Sequence, residues 1–314
     1  MNYKMITSYE EWYQYFDDFA SLYELCFNQA MDREEVEWRY FKNPQKDIVA
    51  CFAFDDGKLI ANYSVSPVPL YHKGKVIKAA QSLNTMTHPN YMGRGLFVTL
   101  AKEVYSFLKN NGYDLVWGFP NYISNRTFVT RLEWKDVLTI PTLEVSLDGL
   151  RHNEAGINVV EDNEILLDYT SCLNNHDAIQ VNKSNEYLYW RYAIHPHIEY
   201  RVFAYSVDGL HATSRIICKE YKDILNIVDY SIRNTNELSQ LLNRVINYAN
   251  SLDKNKISIW AQLGDDMHLT LEKCGARNTA PITYFGNVLF NENMTDVYSI
   301  GQNWMMHMSD DNVY

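Results

Sequence analysis

Cysteine is scarce and scattered. The chain of 314 residues holds five, at Cys26, Cys51, Cys172, Cys218 and Cys274, with no C-x-x-C pair. That argues against a disulfide framework or a zinc ribbon and points to a reducing compartment. No apolar run is long enough to cross a bilayer, and the start, Met1-Asn2-Tyr3-Lys4, has no secretory apolar segment. The expectation is a cytoplasmic protein with no membrane partner. Positive charge is the minority sign, with 28 Lys and Arg against 39 Asp and Glu, a net charge of −11. No basic stripe of the kind that tracks a phosphate backbone is visible, so nucleic acid is not an expected partner. Global charge still leaves room for a local pocket that takes a small anion. The 46% hydrophobic and 21% charged residues are those of a globular chain, long enough for two domains, each with a core.

What the chain has is a repeat. The segments "WRYFKNP" from Trp38 and "WRYAIHP" from Trp190 share the pattern W-R-Y-x-x-x-P, 152 residues apart. Six residues before each tryptophan stands an N-capping residue, Asp32 or Ser184, so each segment reads as a short helix ending at a proline. Each is followed by a hairpin pattern with Asp-Gly at its turn, Asp56-Gly57 and Asp208-Gly209, at the same offset. Further on, the strands "YDLVWGF" and "KISIWAQ" match at an offset nine residues shorter, and a helical stripe precedes each. Duplication explains this pattern better than chance. Because W-R-Y recurs in both copies, packing is the favoured role for it.

Only the first copy carries a glycine-rich loop, in "TMTHPNYMGRGLF", between a strand from Ala80 to Thr87 and a helix starting near Leu96. A plain strand-to-helix turn would account for two glycines. A loop entering a helix N-terminus also offers free amides and the positive end of the helix dipole to an anion. Gly93 and Gly95 allow close backbone approach and Arg94 adds a charge. The loop is not of Walker A type, having no G-K-[ST], and lacks the third glycine of a dinucleotide fingerprint.

In its element order and its H-P-x-Y-x-G-R-G-x-F segment, residues 88–97, the chain resembles the GNAT superfamily of acyl-CoA N-acyltransferases. The resemblance covers most of residues 1–150 and, more weakly, 156–290. Two departures stand in the loop, Met92 for a Gln or Arg and Phe97 for a small residue. The resemblance implies an α/β protein of tandem GNAT folds, each a mixed β-sheet flanked by helices. Residues 1–150 would form the acyl-CoA-binding domain. Residues 151–314 would form a degenerate one that completes the acceptor pocket, with the boundary between Asp148 and Gly156. Coenzyme A is the implied cofactor, with no metal. Its pyrophosphate would lie on the amides from Gly93 to Phe97, with Met86, Thr87, His88, Met92, Arg94, Leu96 and Asn125 also at the cofactor.

The implied chemistry is direct attack of an amine on the thioester, which needs a neutral amine, a stabilised oxyanion and a proton for the thiolate. Strand alternation places Ser82, Asn84 and Met86 on one face and Gln81, Leu83 and Thr85 on the other. Asn84 stands where relatives carry an acidic residue and is the candidate for orienting the amine. Gln81, Asn121 and Tyr122 are candidate substrate contacts. The tyrosine that serves the family as general acid falls on Val129 in the first copy and Leu271 in the second. Tyr122, water or the departing ammonium remain as proton sources. His195, His197 and Glu199 have no apparent fourth metal ligand and read as a solvated loop. His88, before Pro89, reads as shaping its turn. The tail "NWMMHMSDDNVY" reads as a final strand or a docked segment.

Tandem members with this loop resemble sugar N-acyltransferases of bacterial surface-glycan (O-antigen, lipopolysaccharide) pathways, acting on dTDP-linked 3-amino-3,6-dideoxyhexoses. The expected partner is therefore a small-molecule amine, a nucleotide-linked amino sugar, with no protein partner inferred. The alternatives are acetylation of an aminoglycoside, polyamine or peptide amine, and a non-catalytic CoA-binding module.

Overall fold

The computed structural model describes residues 1–45, 48–148, 156–174 and 177–311. Strands are β1 (Asn2–Ile6), β2 (Val49–Asp55), β3 (Lys58–Pro67), β4 (Leu70–His72), β5 (Lys75–Ile77), β6 (Ala79–Thr87), β7 (Leu115–Gly118), β8 (Lys135–Ser146), β9 (Val159–Glu161), β10 (Gln180–Val181), β11 (Tyr200–Tyr205), β12 (Ser214–Tyr221), β13 (Ile224–Ser231), β14 (Lys256–Trp260) and β15 (Arg277–Leu289). Helices are α1 (Tyr9–Tyr13), α2 (Phe16–Phe27), α3 (Arg33–Phe41), α4 (Leu96–Asn110), α5 (Tyr122–Arg131), α6 (Asn185–Leu188), α7 (Thr235–Ser251), α8 (Asp266–Lys273) and α9 (Thr295–Tyr298).

The chain divides into two compact units. The first takes Met1–Leu70, Val76–Leu138 and Tyr284–Gly301, and the second takes Tyr71–Lys75, Thr139–Thr283 and Gln302–Tyr314. A cut near residue 150 would make each unit one contiguous stretch. The units instead exchange segments, because two long strands serve both. β8 leaves the first unit after Leu138, and β15 enters it at Tyr284. The expected boundary from Asp148 to Gly156 falls on 149–155, which lie outside the described residues.

In the first unit the sheet order is β1-β2-β3-β6-β7-β15. All neighbours are antiparallel except β6 and β7, which run parallel. The Asp56-Gly57 turn closes the β2–β3 hairpin with both residues at positive φ, 47° and 76°, the mirror-image turn that matches strand twist. β2 is buried on both faces. Cys51 and Ala53 join Leu100, Val104 and Leu108 of α4 in one cluster. Ala50 and Phe52 join Trp12, Phe19 and Tyr40 of α1–α3 in another. Alternation in a strand and the stripe of a helix thus build a three-layer core.

In the second unit the order is β8-β14-β13-β12-β11-β9, with β13 and β14 parallel. The stripe Leu238, Leu241, Leu242, Val245 and Ala249 of α7 packs on Ile216, Cys218, Ile227 and Ile257. The order β2-β3-β6-α4-β7-α5 of the first unit is matched by β11-β12-β13-α7-β14-α8 in the second. Asp32 caps α3 through Glu35 N (2.9 Å), and Ser184 caps α6 through Tyr187 N (3.3 Å). Trp38, Tyr40, Trp190, Arg191 and Tyr192 are all buried. One expected match fails. Asp208-Gly209 is not a tight turn but lies inside a loop from 206 to 213, where Asp208 Oδ1 accepts the amides of Leu210 and His211, each at 2.9 Å. A side chain that captures amides two and three residues on stabilises such a loop in place of a two-residue turn.

Candidate active site

The glycine loop of the first unit is held open by its own residues. Gly93 and Gly95 have φ of 76° and 77°, and a Cβ on either would meet nothing within 4 Å. Gly95 stands at the N-cap of α4, where no side chain caps the helix and the first turn holds no acidic residue. The orphan amides and positive dipole end of a fifteen-residue helix are therefore left for an outside acceptor. The approach to the loop is braced. His88 Nδ1 accepts the Asn90 amide at 3.2 Å, which is the turn-shaping role expected of it. Tyr91 OH donates to Asp55 Oδ2 at 2.7 Å, and this bond and burial raise the Tyr91 pKa. Arg94 lies over the Tyr91 ring at 4.7 Å and donates to Asn90 O at 3.2 Å. Met92 is exposed, Leu96 is buried, and Phe97 packs on Tyr63 and Phe128. At Leu96 only the backbone is offered to a ligand.

β6 leads from this loop to the place where the sheet opens. The parallel β6–β7 pairing ends at Gln81 opposite Trp117, while β6 runs on to Thr87. A bulge interrupts β6 as well, since its register on β3 shifts between Thr85 and Ser82. The alternation expected from the sequence is broken there. Leu83 and Met86, assigned to opposite faces, pack in one cluster. Ser82, expected on the Met86 face, is bonded instead to Tyr63, which belongs to the opposite cluster. An extra residue in a strand resets the phase of every side chain beyond it. The bulge turns the Asn84 carbonyl onto β3, where it accepts from Asn62 Nδ2 at 2.7 Å and Ser64 Oγ at 3.3 Å. Of the amides from Met86 to His88, that of His88 is bonded to Ile60 O at 2.8 Å. Alternation turns the Thr87 amide to the opposite edge.

The other candidates fall on several elements. Gln81 is buried. Asn121 caps α5, its Oδ1 accepting from Ser124 N at 2.8 Å. Tyr122 is exposed, and Asn125 sits in the first turn of α5 with its amide on Asn121 O. Val129 lies on α5, and Leu271 is buried on α8. His195 Nδ1 accepts the amides of His197 and Ile198, and Glu199 pairs with Arg201, so this stretch is a turn.

Sequence reasoning passed over a buried chain of hydroxyls beside the opening. Trp134 Nε1 donates to Tyr105 OH at 2.8 Å, Tyr105 OH lies 3.0 Å from Tyr63 OH, and Tyr63 OH donates to Ser82 Oγ at 3.0 Å. Burial pushes the Tyr63 phenol up to about 12 and that of Tyr105 well above its usual value, so both stay protonated at neutral pH. A signal was present in Tyr63 of "ANYSVS", a tyrosine inside a stretch, 61–66, that is buried throughout. Buried polar groups imply partners.

In the second unit the corresponding helix start is filled from within. Asn234 caps α7, and Glu237 in the first turn is buried. The Glu237 carboxylate accepts from Thr213 Oγ1 (2.8 Å), Ser214 Oγ (2.5 Å) and Asn234 Nδ2 (2.8 Å). A carboxylate in the first turn of α7 opposes an anionic ligand at this helix start. The same unit brings Asp229, His307 and Asp310 together with ligand atoms within 4.8 Å of one another. Lys183 Nζ lies 2.5 Å from Asp229, 3.0 Å from Asp310 and 3.0 Å from His307 Nδ1, and Arg215 pairs with Asp229 at 3.1 Å. The cation position is taken by an ammonium, so the cluster is an ion-pair network.

Residues 13–136 match the family model of the acetyltransferase (GNAT) domain. The whole chain is similar in fold to a conserved protein from Enterococcus faecalis V583 described as a probable N-acyltransferase. The TM-score is 0.72 at 12% identity, covering 95% of this chain and 75% of that one. It is similar also to a GCN5-related N-acetyltransferase from Anabaena variabilis (TM-score 0.71, 11% identity, 92% and 73% covered). A third such structure is a GCN5-related N-acetyltransferase from Kribbella flavida (0.70, 12%, 95% and 74%). No curated protein matches the chain. The match to the acyltransferase domain ends within β8, before the second unit's sheet begins.

Proposed function

We propose that the first unit binds acyl-CoA and transfers its acyl group to an amine. The observation that carries this reading is the uncapped N-terminus of α4, with two positive-φ glycines and open space above them. The pyrophosphate lies on the amides from Gly93 to Phe97 beside Arg94, where backbone donors and dipole act together. The pantetheine arm follows the free edge of β6 past His88, Thr87 and Met86 toward the bulge, with Asn125 near the loop. Asn84 orients the acceptor amine, with Gln81, Asn121 and Tyr122 along its approach. The second unit is a tandem copy that has lost the anion site, because Glu237 fills it.

The acceptor we favour is the amino group of a nucleotide-linked sugar, as in surface-glycan biosynthesis. It rests on the resemblance of the tandem arrangement and loop to sugar N-acyltransferases. The net charge of −11 favours a second reading, a cationic acceptor such as an aminoglycoside, polyamine or peptide amine. Thiol release from acetyl-CoA, measured against a panel of nucleotide-linked amino sugars, aminoglycosides and polyamines, separates them. Turnover with the sugars alone supports the first reading. Turnover confined to the polycations replaces it with the second.

A further inference from the structure

We infer that Ser82 is a catalytic residue of this site, donating a hydrogen bond to the thioester oxygen as it becomes an oxyanion, and that Tyr63, Tyr105 and Trp134 are its positioning residues. The inference rests on the acyl-CoA reading above. Its basis is the direction in which the buried hydrogen-bond chain must run. An indole nitrogen only donates, so the Tyr105 oxygen accepts from Trp134. Tyr63 OH gives its single proton to Ser82 Oγ, so in its contact with Tyr105 it accepts and Tyr105 donates. Each hydroxyl has one proton, so the Tyr63–Ser82 bond fixes the order of the chain back to Tyr105. The proton left over belongs to Ser82.

That proton emerges where the sheet opens. Ser82 is the first β6 residue beyond the last pair with β7, and it is half-buried while Tyr63, Tyr105 and Trp134 are buried. Gly118 stands beside it, at a point where a Cβ would lie 3.4 Å from the Ser82 Cβ and 3.5 Å from the Trp134 ring. The missing side chain leaves the ground beside the Ser82 Cβ and the Trp134 ring uncrowded. From Ser82 to Thr87 the strand covers about 17 Å at ~3.3 Å per residue, a span suited to an extended arm whose phosphates lie on the loop. Successive bonds polarise one another, so the terminal hydroxyl is a stronger and better-aimed donor than an isolated serine.

The step balances without another reactant. The amine nitrogen attacks the carbonyl carbon, the N–C bond forms, and the carbonyl π pair moves onto oxygen, which Ser82 Oγ–H bonds. When the carbonyl re-forms, the C–S bond breaks with its electron pair on sulfur, and sulfur takes the proton that nitrogen releases. Ser82 keeps its own proton throughout.

Thiol release from acetyl-CoA with hydroxylamine as the acceptor probe tests this without knowledge of the natural acceptor. Calorimetry supplies the acetyl-CoA Kd in parallel. Ser82→Ala should lower kcat about 10²-fold, as loss of an oxyanion donor does, with Kd unchanged. Ser82→Thr, which keeps the hydroxyl, should restore most of the rate. Tyr63→Phe should lower kcat without moving KM for acetyl-CoA. The double variant should be no slower than Ser82→Ala, since the two residues act as one unit. A wild-type kcat in Ser82→Ala, or losses that multiply in the double variant, would overturn the inference and leave acyl-CoA binding standing. A wild type that binds no acetyl-CoA would overturn both.

Discussion

At the scale of single residues, strand phase decides which side chains meet the chemistry. Asn84 lies within the bulge, with its carbonyl held by Asn62 and Ser64. If its side chain orients the acceptor, Asn84→Ala should reduce kcat on the order of 10²-fold with little change in KM for acyl-CoA. Asn84→Asp should keep activity and add an acidic limb to the pH profile, because a carboxylate also accepts the amine proton. Steady-state kinetics against pH reads both, and a wild-type rate in Asn84→Ala removes the residue from the mechanism. Asp229 carries a different prediction. Burial alone would raise its pKa, but Lys183, Arg215 and His307 outweigh burial and hold it below the usual carboxylate range. Asp310 is also lowered, with Lys183 again overcoming burial. A carboxylate depressed in the folded state contributes stability above its unfolded pKa, near 4, and loses it as pH falls through the folded value. The melting temperature should therefore drop steeply once pH falls below about 4. Asp229→Ala should cost roughly 3–5 kcal/mol at neutral pH by stranding Lys183 and Arg215, measurable by denaturant unfolding. A loss within about 0.5 kcal/mol, the ordinary surface value, would show that the network is not structural.

At the scale of elements, the sequence was legible where a local rule governs. The caps at Asp32 and Ser184, the Asp56-Gly57 hairpin, the α4 and α7 stripes and the turn at His88 depend on neighbours in the chain. They formed as the spacing implied. Three features were not legible because distant contacts set them. The bulge in β6 is a register choice made against β3. The Trp134–Tyr105–Tyr63–Ser82 chain joins residues from four elements or loops that no spacing connects. The division of β8 and β15 between the two units is fixed by pairing far along the chain, Gly118 with Gly286 and Thr142 with Trp260. The tail, which the sequence leaves open between a strand and a docked segment, is docked over residues 303–308. Trp304, Met305, Met306 and Met308 are buried, Ile179 N bonds Asn303 O at 2.7 Å, and Met305 N bonds Ile179 O at 2.9 Å. Trp304→Ala should cost about 3–5 kcal/mol, the range for emptying a buried aromatic site. A chain ended at Asn303 should be far more sensitive to limited proteolysis than the intact one. Equal cleavage rates would mean the segment contributes little.

At the scale of the whole molecule, one architecture occurs twice with different contents at the same helix start. In the first unit α4 begins on Gly95 with no cap and no acidic residue. In the second, α7 begins on Asn234 with Glu237 buried against it and bonded three times. A helix N-terminus that is open attracts an anion, and one that already holds a carboxylate does not. The asymmetry predicts one acyl-CoA per chain. It also predicts that the site is lost with Gly95→Val, because a side chain there intrudes on the approach to the amides. The fold should survive that change, since the space is open, at a strain of about 1–2 kcal/mol for a positive φ. Titration calorimetry of the intact protein with acetyl-CoA tests this claim most directly. The account predicts saturation at one equivalent in the wild type and no heat of binding in a folded Gly95→Val variant. Saturation at two equivalents, or binding unchanged by Gly95→Val, would contradict it.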